Sequence, residues 1–266
     1  MKMQQPEAAA VFPPHLKGSA SFRSVHLREF AGAAVFFIAA CSITGAQVIF
    51  NAMLLFLTLA GGQFTFQALG FFNRPRLDIS IIYHALLVIL FLPAASSAGI
   101  VISAGLALST FYYFSGGRPG YVIPPVCLTL GFLKCLGSHP QFILAESSLL
   151  AAAIVFILWF LTRFPKTQSE IQKIVLNAVM VPLLCLLHDK PLALALLWSA
   201  VAGEIIFDKS LSPLSLQGRV WHGATTLALF ALLVSGTFLE EAMILTGLAS
   251  GFFSAWIEDR FMARKV

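Results

Sequence analysis

Long apolar runs separated by short polar breaks are the main pattern of this chain. The stretch SSLLAAAIVFILWFLTRF (147–164) is typical, because it carries a single charge near its end and does not alternate apolar with polar residues. A membrane-spanning strand would alternate over about ten positions. A membrane-spanning helix needs about 20 mostly apolar residues. The runs therefore predict helices of membrane-spanning length.

Clusters of glycine, proline and charge divide these runs into ten predicted spans. Their boundaries are 30–47, 49–71, 79–96, 98–115, 121–138, 144–163, 171–187, 191–207, 220–236 and 238–257. Composition agrees, since 58% of the 266 residues are hydrophobic and 11% are charged. A soluble domain of this size cannot bury so much apolar surface. The predicted fold class is an all-α polytopic membrane protein with about ten transmembrane helices.

The basic residues provide an independent check on the number of spans, because positive charge favours cytoplasmic loops. With a cytoplasmic N-terminus, 15 of the 17 Lys and Arg fall on the inner side: Lys2, Lys17, Arg23, Arg28, Arg74, Arg76, Arg118, Arg163, Lys166, Lys173, Lys209, Arg219, Arg260, Arg264 and Lys265. Both termini are therefore predicted to be cytoplasmic. The net charge of +5 suits an anionic inner leaflet, so the lipid bilayer is the expected partner and no nucleic acid is expected.

Three regions follow from this topology. Residues 1–28 are predicted to be a basic, amphipathic cytoplasmic segment, 29–257 a single transmembrane domain, and 258–266 a basic cytoplasmic tail. Because each half has an odd number of spans, five, the two halves cross the membrane in opposite orientations. We therefore expect two inverted repeats, about 29–139 and 143–257, a design that places helix breaks around a central site.

Ionisable residues within spans are the candidate functional residues. His84, Glu204 and His222 all fall in the predicted cytoplasmic half, where a carboxylate and two imidazoles could relay protons or hold an ion. A polar pocket near them is expected, lined partly by the break at 116–120. Snorkelling to the interface or an ordinary interhelical hydrogen bond is the simpler explanation of each residue.

The break GGRPG (116–120) interrupts the apolar pattern with a cation. Gly116, Gly117 and Arg118 could offer free N–H groups and a guanidinium to an anion or a lipid headgroup. An inner-side turn with an ordinary arginine is the alternative. The chain shows no nucleophile elbow, phosphate loop or metal-ligand spacing, so no catalytic residue and no metal ligand is predicted.

Four motifs carry a family resemblance. PPHLKGSASFRSVHLRE (13–29) is similar to an amphipathic lead-in to a first span, and LDISIIYHALLVILFLP (77–93) to an Asp-x-Ser opening of a third span. GGRPGYVIPPV (116–126) is similar to a glycine-rich loop after a fourth span, and FDKSLSPLSLQGR (207–219) to a loop that ends in Gly-Arg. In this order the chain resembles the RnfD/NqrB family, which supplies membrane components of the Rnf electron-transport complex and of the Na⁺-translocating NADH:quinone reductase.

The chain also departs from that family. YVIPPV (121–126) stands where family members show Asn-x-Phe-Asn-Pro-Ala, so both asparagines are missing. Family members with a covalent flavin attach it to a threonine between spans five and six, where this chain has only GSHPQ (137–141). HGATT (222–226) looks like the attachment motif but lies in span nine. We therefore expect no covalent FMN, while a noncovalent flavin stays open and the cofactor is unknown.

The resemblance implies a membrane subunit of an Rnf-like or quinone-reductase-like electron-transport assembly, in the bacterial cytoplasmic (inner) membrane and in contact with other membrane or redox subunits. Whether such a component takes part in oxidoreductase catalysis is open. Two alternatives remain, because the missing threonine and asparagines weaken the redox role. One is a channel or transporter for a small solute or ion on the same inverted-repeat fold. The other is a non-redox scaffold for partner subunits.

Overall fold

The computed structural model describes residues 22–70, 79–114, 123–162, 175, 178–186, 190–206, 216–234 and 238–262. All regular structure within these ranges is helical. The helices are α1 (Phe22–Thr44), α2 (Ala46–Ala68), α3 (Ile79–Ile89), α4 (Ala98–Phe114), α5 (Pro125–Cys135), α6 (Leu149–Thr162), α7 (described over 178–186), α8 (Leu192–Ile206), α9 (Leu216–Val234) and α10 (Leu239–Met262). A 3-10 turn, Ile143–Glu146, precedes α6. The all-α prediction is confirmed, with one helix in each predicted span.

The two ends of the predicted transmembrane domain differ from the observed helices. α1 begins at Phe22 and α10 continues to Met262, so both helices extend beyond the predicted limits at 29 and 257. The division between the first two spans lies at Gly45, whose φ is +75°. Glycine adopts this left-handed conformation without steric cost. One residue therefore separates α1 from α2.

α3 ends at Ile89, earlier than the predicted limit at 96, because another segment takes over its backbone hydrogen bonds. The N–H of Gln141 donates to the Phe91 carbonyl at 3.0 Å, and the N–H of Ile143 donates to the Leu90 carbonyl at 2.9 Å. Pro93, which has no N–H to continue a helix, lies in the same non-helical stretch. α6 begins at Leu149, five residues after the predicted start at 144, because the 3-10 turn Ile143–Glu146 comes first.

Large apolar side chains cover much of the outer surface. On α6 the exposed fraction is 73% for Leu150 and 60% for Leu161, whereas the side chains of Ala152 and Trp159 on the opposite face are completely buried. Polar residues are found inside, including Asn51, Gln63, Ser109, Glu204 and His222. Water-soluble proteins show the reverse arrangement, since they rarely expose large contiguous apolar patches.

Among the described residues, two helical stretches are both long and apolar enough to cross a membrane, Leu27–Thr44 and Ala46–Ala68. Shorter apolar helices of 10–17 residues are Ile79–Ile89, Ala98–Tyr112, Pro125–Cys135, Leu149–Thr162, Leu192–Ile206 and Val220–Val234. A core helix of a soluble protein can meet the same criterion. Length and composition alone therefore leave the membrane as a prediction.

Helix contacts in the first half of the chain recur five helices later. α1 packs on α3 as α6 packs on α8, α4 on α5 as α9 on α10, and α3 on α5 as α8 on α10. Two further contacts join the halves, α1 with α6 and α5 with α10. Each of these two contacts pairs helices that occupy the same place in the two halves. This is the pattern expected for helices close to a two-fold axis.

α2 and α4 approach each other closely because a glycine faces a threonine. A Cβ added at Gly105 would lie 2.9 Å from the Thr58 Cβ and 3.0 Å from the Leu55 carbonyl oxygen. Real Cβ atoms almost never come this close, so the glycine is required for the present separation of the helices. One turn away the same interface is polar, with Gln63 Nε2 donating to Ser109 Oγ at 3.0 Å.

We expect Gly105→Ala to destabilise the protein by about 1–3 kcal/mol, because the added methyl group must push α2 and α4 apart. Gly61→Ala on α2 is the matched control, since a Cβ there meets nothing within 4 Å and alanine favours the helix by about 1 kcal/mol. Unfolding of the purified protein in detergent measures both effects. Equal stability of the two variants would contradict the close approach.

Candidate functional site

The last described turn of α8 is buried inside the helix bundle. Glu204, Ile205 and Ile206 are all at most 1% exposed. Buried polar groups need hydrogen-bond partners, so the Glu204 carboxylate needs donors inside the protein.

Side chains of α3 and α6 hold the Glu204 carboxylate. Tyr83 Oη, from α3, donates to Glu204 Oε2 at 2.8 Å, and Trp159 Nε1, from α6, donates to Oε1 at 3.0 Å. Tyr83 Oη also lies 3.2 Å from the Glu204 backbone carbonyl oxygen. A donor on each oxygen suits an ionised carboxylate, which only accepts hydrogen bonds.

His84 lies beside this carboxylate site and is 1% exposed. Its ring centroid is 5.1 Å from that of Tyr83 in an edge-on arrangement, and 6.0 Å from that of Tyr112. His84 Nδ1 lies 2.6 Å from the Ser80 carbonyl oxygen. Because a carbonyl only accepts, this nitrogen carries the proton.

His222, on α9, lies in a second hydrogen-bonded group at the same end of α8. Its Nε2 is 3.1 Å from the Ser250 carbonyl oxygen and therefore donates to it. Ser250 Oγ lies 3.2 Å from the same nitrogen and donates to the Ile206 carbonyl at 3.3 Å. Ser250, on α10, thus binds the last described carbonyl of α8 and positions His222.

The three predicted residues are all buried, and the hydrogen bonds place them in two groups around α8. Glu204 and Ile206 are two positions apart, about 200° around the helix, so their contacts lie on opposite sides of α8. Glu204 contacts the immediate neighbour of His84, whereas His222 is linked to α8 through Ser250. None of the three faces the exterior, so snorkelling is wrong for all of them. Gly116, Gly117 and Arg118 lie outside the described residues.

Three residues that position the predicted ones could not be recognised in the sequence. Tyr83, Trp159 and Ser250 stand in apolar runs, and Tyr83 is 121 residues from Glu204. Their types give the only available signal, because buried Tyr, Trp and Ser need hydrogen-bond partners. Identifying those partners requires the helix packing.

The chemistry that this arrangement permits is the binding and release of a proton or small cation in the protein core. A carboxyl group and two imidazoles are present, each in a defined hydrogen-bonding position. Within the described ranges no three His, Cys, Asp or Glu side chains form a group that could hold a metal ion.

A second polar group lies where α5, α10 and the 3-10 turn meet. Lys134 pairs with Glu241, and Glu240 Oε1 accepts a hydrogen bond from the Phe142 N–H at 3.3 Å. A cavity of about 360 Å³ lies beside it, lined in part by His139 and Gln141. Because both ionic side chains are partly exposed, this pair contributes little stability. Glu240, which is partly exposed, provides a carboxylate for comparison with the buried Glu204.

No protein-family model matches this chain, and no curated protein matches it either. The resemblance to the Rnf and quinone-reductase components therefore rests on the order of its motifs and stays a prediction.

We expect Glu204→Gln to be much more stable than Glu204→Leu. The glutamine oxygen can accept from Trp159, and its amide can donate to Tyr83, whose hydroxyl can turn to the Glu204 backbone carbonyl. Leucine leaves the indole donor without its acceptor, at a cost of about 1–3 kcal/mol. The free energy of unfolding in mixed micelles measures the difference.

Tyr83→Phe completes a double-mutant cycle with Glu204→Leu. Because the two side chains share a hydrogen bond, the double variant should lose less stability than the sum of the single variants. Strictly additive losses, or a Glu204→Leu protein as stable as the Gln variant, would contradict the assigned contacts.

Proposed function

We propose that the ten helices cross a bilayer. The exposed apolar faces support this, because side chains such as Leu57, Leu150 and Phe252, each more than 60% exposed, are costly in water and favourable in lipid. The shorter helices fit the same proposal. α3 has 11 residues and is about 17 Å long, and the non-helical residues that follow it, Leu90, Phe91 and Leu92, are buried. Irregular backbone at membrane depth is tolerated when it is buried in protein.

The proposed orientation has both termini on the cytoplasmic side of a bacterial inner membrane. It is supported by the partition of Lys and Arg, which leaves only Lys190 in an outer loop and Lys134 near an outer helix end. The contacts that recur five helices later support two inverted five-helix repeats. In this arrangement Glu204 and His222 lie on the inner half of the protein.

The proposed role is that of an ion-translocating membrane subunit in an electron-transport assembly of the Rnf or Na⁺-translocating quinone-reductase type, without a covalent flavin of its own. The buried Glu204 carboxylate is the observation that carries the ionic part of this role. An ionisable group inside a membrane protein is expensive and usually functional. The motif order supports the assembly, whose other subunits, or a noncovalent flavin, would carry the electrons.

A channel or transporter on the same fold is the second candidate. It is favoured by the Glu204 site, which is formed within one chain and needs no redox partner. A non-redox scaffold would need neither Glu204 nor an electron carrier. The two alternatives and the main proposal therefore differ in what the protein binds and in what Glu204 does.

Purification in a mild detergent, followed by identification of bound proteins and of flavin released on denaturation, separates these roles. We expect redox subunits to co-purify. In vesicles, Glu204→Gln should leave the assembly intact and lower the uptake of protons or sodium driven by electron transfer at least tenfold. Glu240→Gln, which alters a partly exposed carboxylate, should leave uptake unchanged.

An isolated protein that transports a solute or ion without redox partners would replace the main proposal with the channel. An intact assembly whose ion uptake is unaffected by Glu204→Gln would indicate a scaffold.

A further inference from the structure

Two threonines in the described part of the chain behave differently from all the others. Nine threonines are described in helices, and seven of them donate to a carbonyl of their own helix three or four residues earlier: Thr44, Thr58, Thr65, Thr110, Thr129, Thr162 and Thr225. Thr226 Oγ1 and Thr246 Oγ1 have no hydrogen-bond partner in the structure as described. Both residues are at most 1% exposed, so neither can be satisfied by bulk water.

These two hydroxyl groups lie at the same level of one helix pair. α9 and α10 are joined by a short connection and pack along each other, and His222 contacts Ser250 across their interface. Thr226 follows His222 by four residues, and Thr246 precedes Ser250 by four. One turn along an antiparallel pair therefore places both threonines side by side, about 6 Å from the His222–Ser250 contact.

An indole N–H continues this row one turn further. Trp198 Nε1 is buried and has no hydrogen-bond partner within the described ranges. The Trp198 ring stacks on Phe230 with centroids 5.3 Å apart, and Phe230 follows Thr226 by four residues. α8 contacts both helices, since its Ile206 carbonyl accepts from Ser250 on α10 and its Trp198 ring stacks on Phe230 of α9. The polar row of His222, Ser250, Thr226, Thr246 and Trp198 is therefore about 12 Å long.

We propose that the interface of α8, α9 and α10 holds a file of bound water along this polar row. Unsatisfied buried polar groups are rare and usually indicate an ordered water or ion. The indole only donates, whereas the hydroxyls both donate and accept, and water matches this mixed set. The two threonines and the tryptophan carry no formal charge, so a bound ion would remain uncompensated by them.

The file gives His222 a hydrated connection into the middle of the protein, separate from the Glu204 site on the other side of α8. An imidazole at the end of hydrogen-bonded water can accept a proton from it and return one. The inference does not depend on the proposed electron-transport role, because these groups need partners wherever the helices lie.

Thr→Val substitutions test the file, because they preserve shape and remove one hydroxyl group. If water binds there, Thr226→Val and Thr246→Val remove its partners, and each should lower the midpoint of thermal unfolding by about 2–4 °C. Thr225→Val is the matched control on the same helix, since its hydroxyl bonds within α9, and it should change the midpoint less. If the row is dry, removing an unsatisfied hydroxyl stabilises the protein, so an unchanged or raised midpoint overturns the proposal.

Radiolytic hydroxyl labelling of the wild-type protein gives a second readout, which does not depend on the variants folding. Under irradiation, bound water forms hydroxyl radicals, and these oxidise adjacent side chains even when the side chains are buried. Trp198 should be labelled at least several times faster than Trp159, a tryptophan equally buried but bonded to Glu204. The double variant Thr226→Val/Thr246→Val should slow the labelling of Trp198 alone. Equal rates for the two tryptophans in the wild type overturn the proposal.

Discussion

The last described turn of α8 is buried inside the protein, and side chains of three other helices bind the polar groups that it carries. Tyr83 and Trp159 bind the Glu204 carboxylate, and Ser250 binds the Ile206 carbonyl. These contacts join α3, α6, α8 and α10. The cost of an unsatisfied buried carbonyl or carboxylate, several times the net gain from one hydrogen bond, therefore fixes how four helices meet.

The same requirement explains the other irregular parts of the structure. α3 ends early, and the N–H groups of Gln141 and Ile143 donate to the carbonyls of Phe91 and Leu90, just after it. Gln63 and Ser109 pair between α2 and α4. These polar groups are thus matched with one another inside, while leucine, isoleucine and phenylalanine cover the outside. A protein dissolved in lipid has this distribution, because lipid cannot satisfy a polar group.

The sequence predicted the number and type of the helices well, because apolar runs and glycine or proline breaks are local signals. It also singled out His84, Glu204 and His222, since ionisable residues stand out in apolar surroundings. It could not predict that Tyr83 meets Glu204 or that α3 ends at Ile89, because both depend on segments that are remote in sequence. The function stays a proposal, as the motifs that suggest it lack the asparagines and the flavin threonine.

The membrane topology is the central claim, and cysteine accessibility in intact cells tests it most directly. In a cysteine-free background, single cysteines would replace His139, Gly117 and Ser212, and a membrane-impermeant thiol reagent would be added from outside. The proposed topology predicts labelling at 139 in intact cells, and at 117 and 212 only after the membrane is opened. Labelling of 117 or 212 in intact cells, or protection of 139, would contradict the ten-span arrangement.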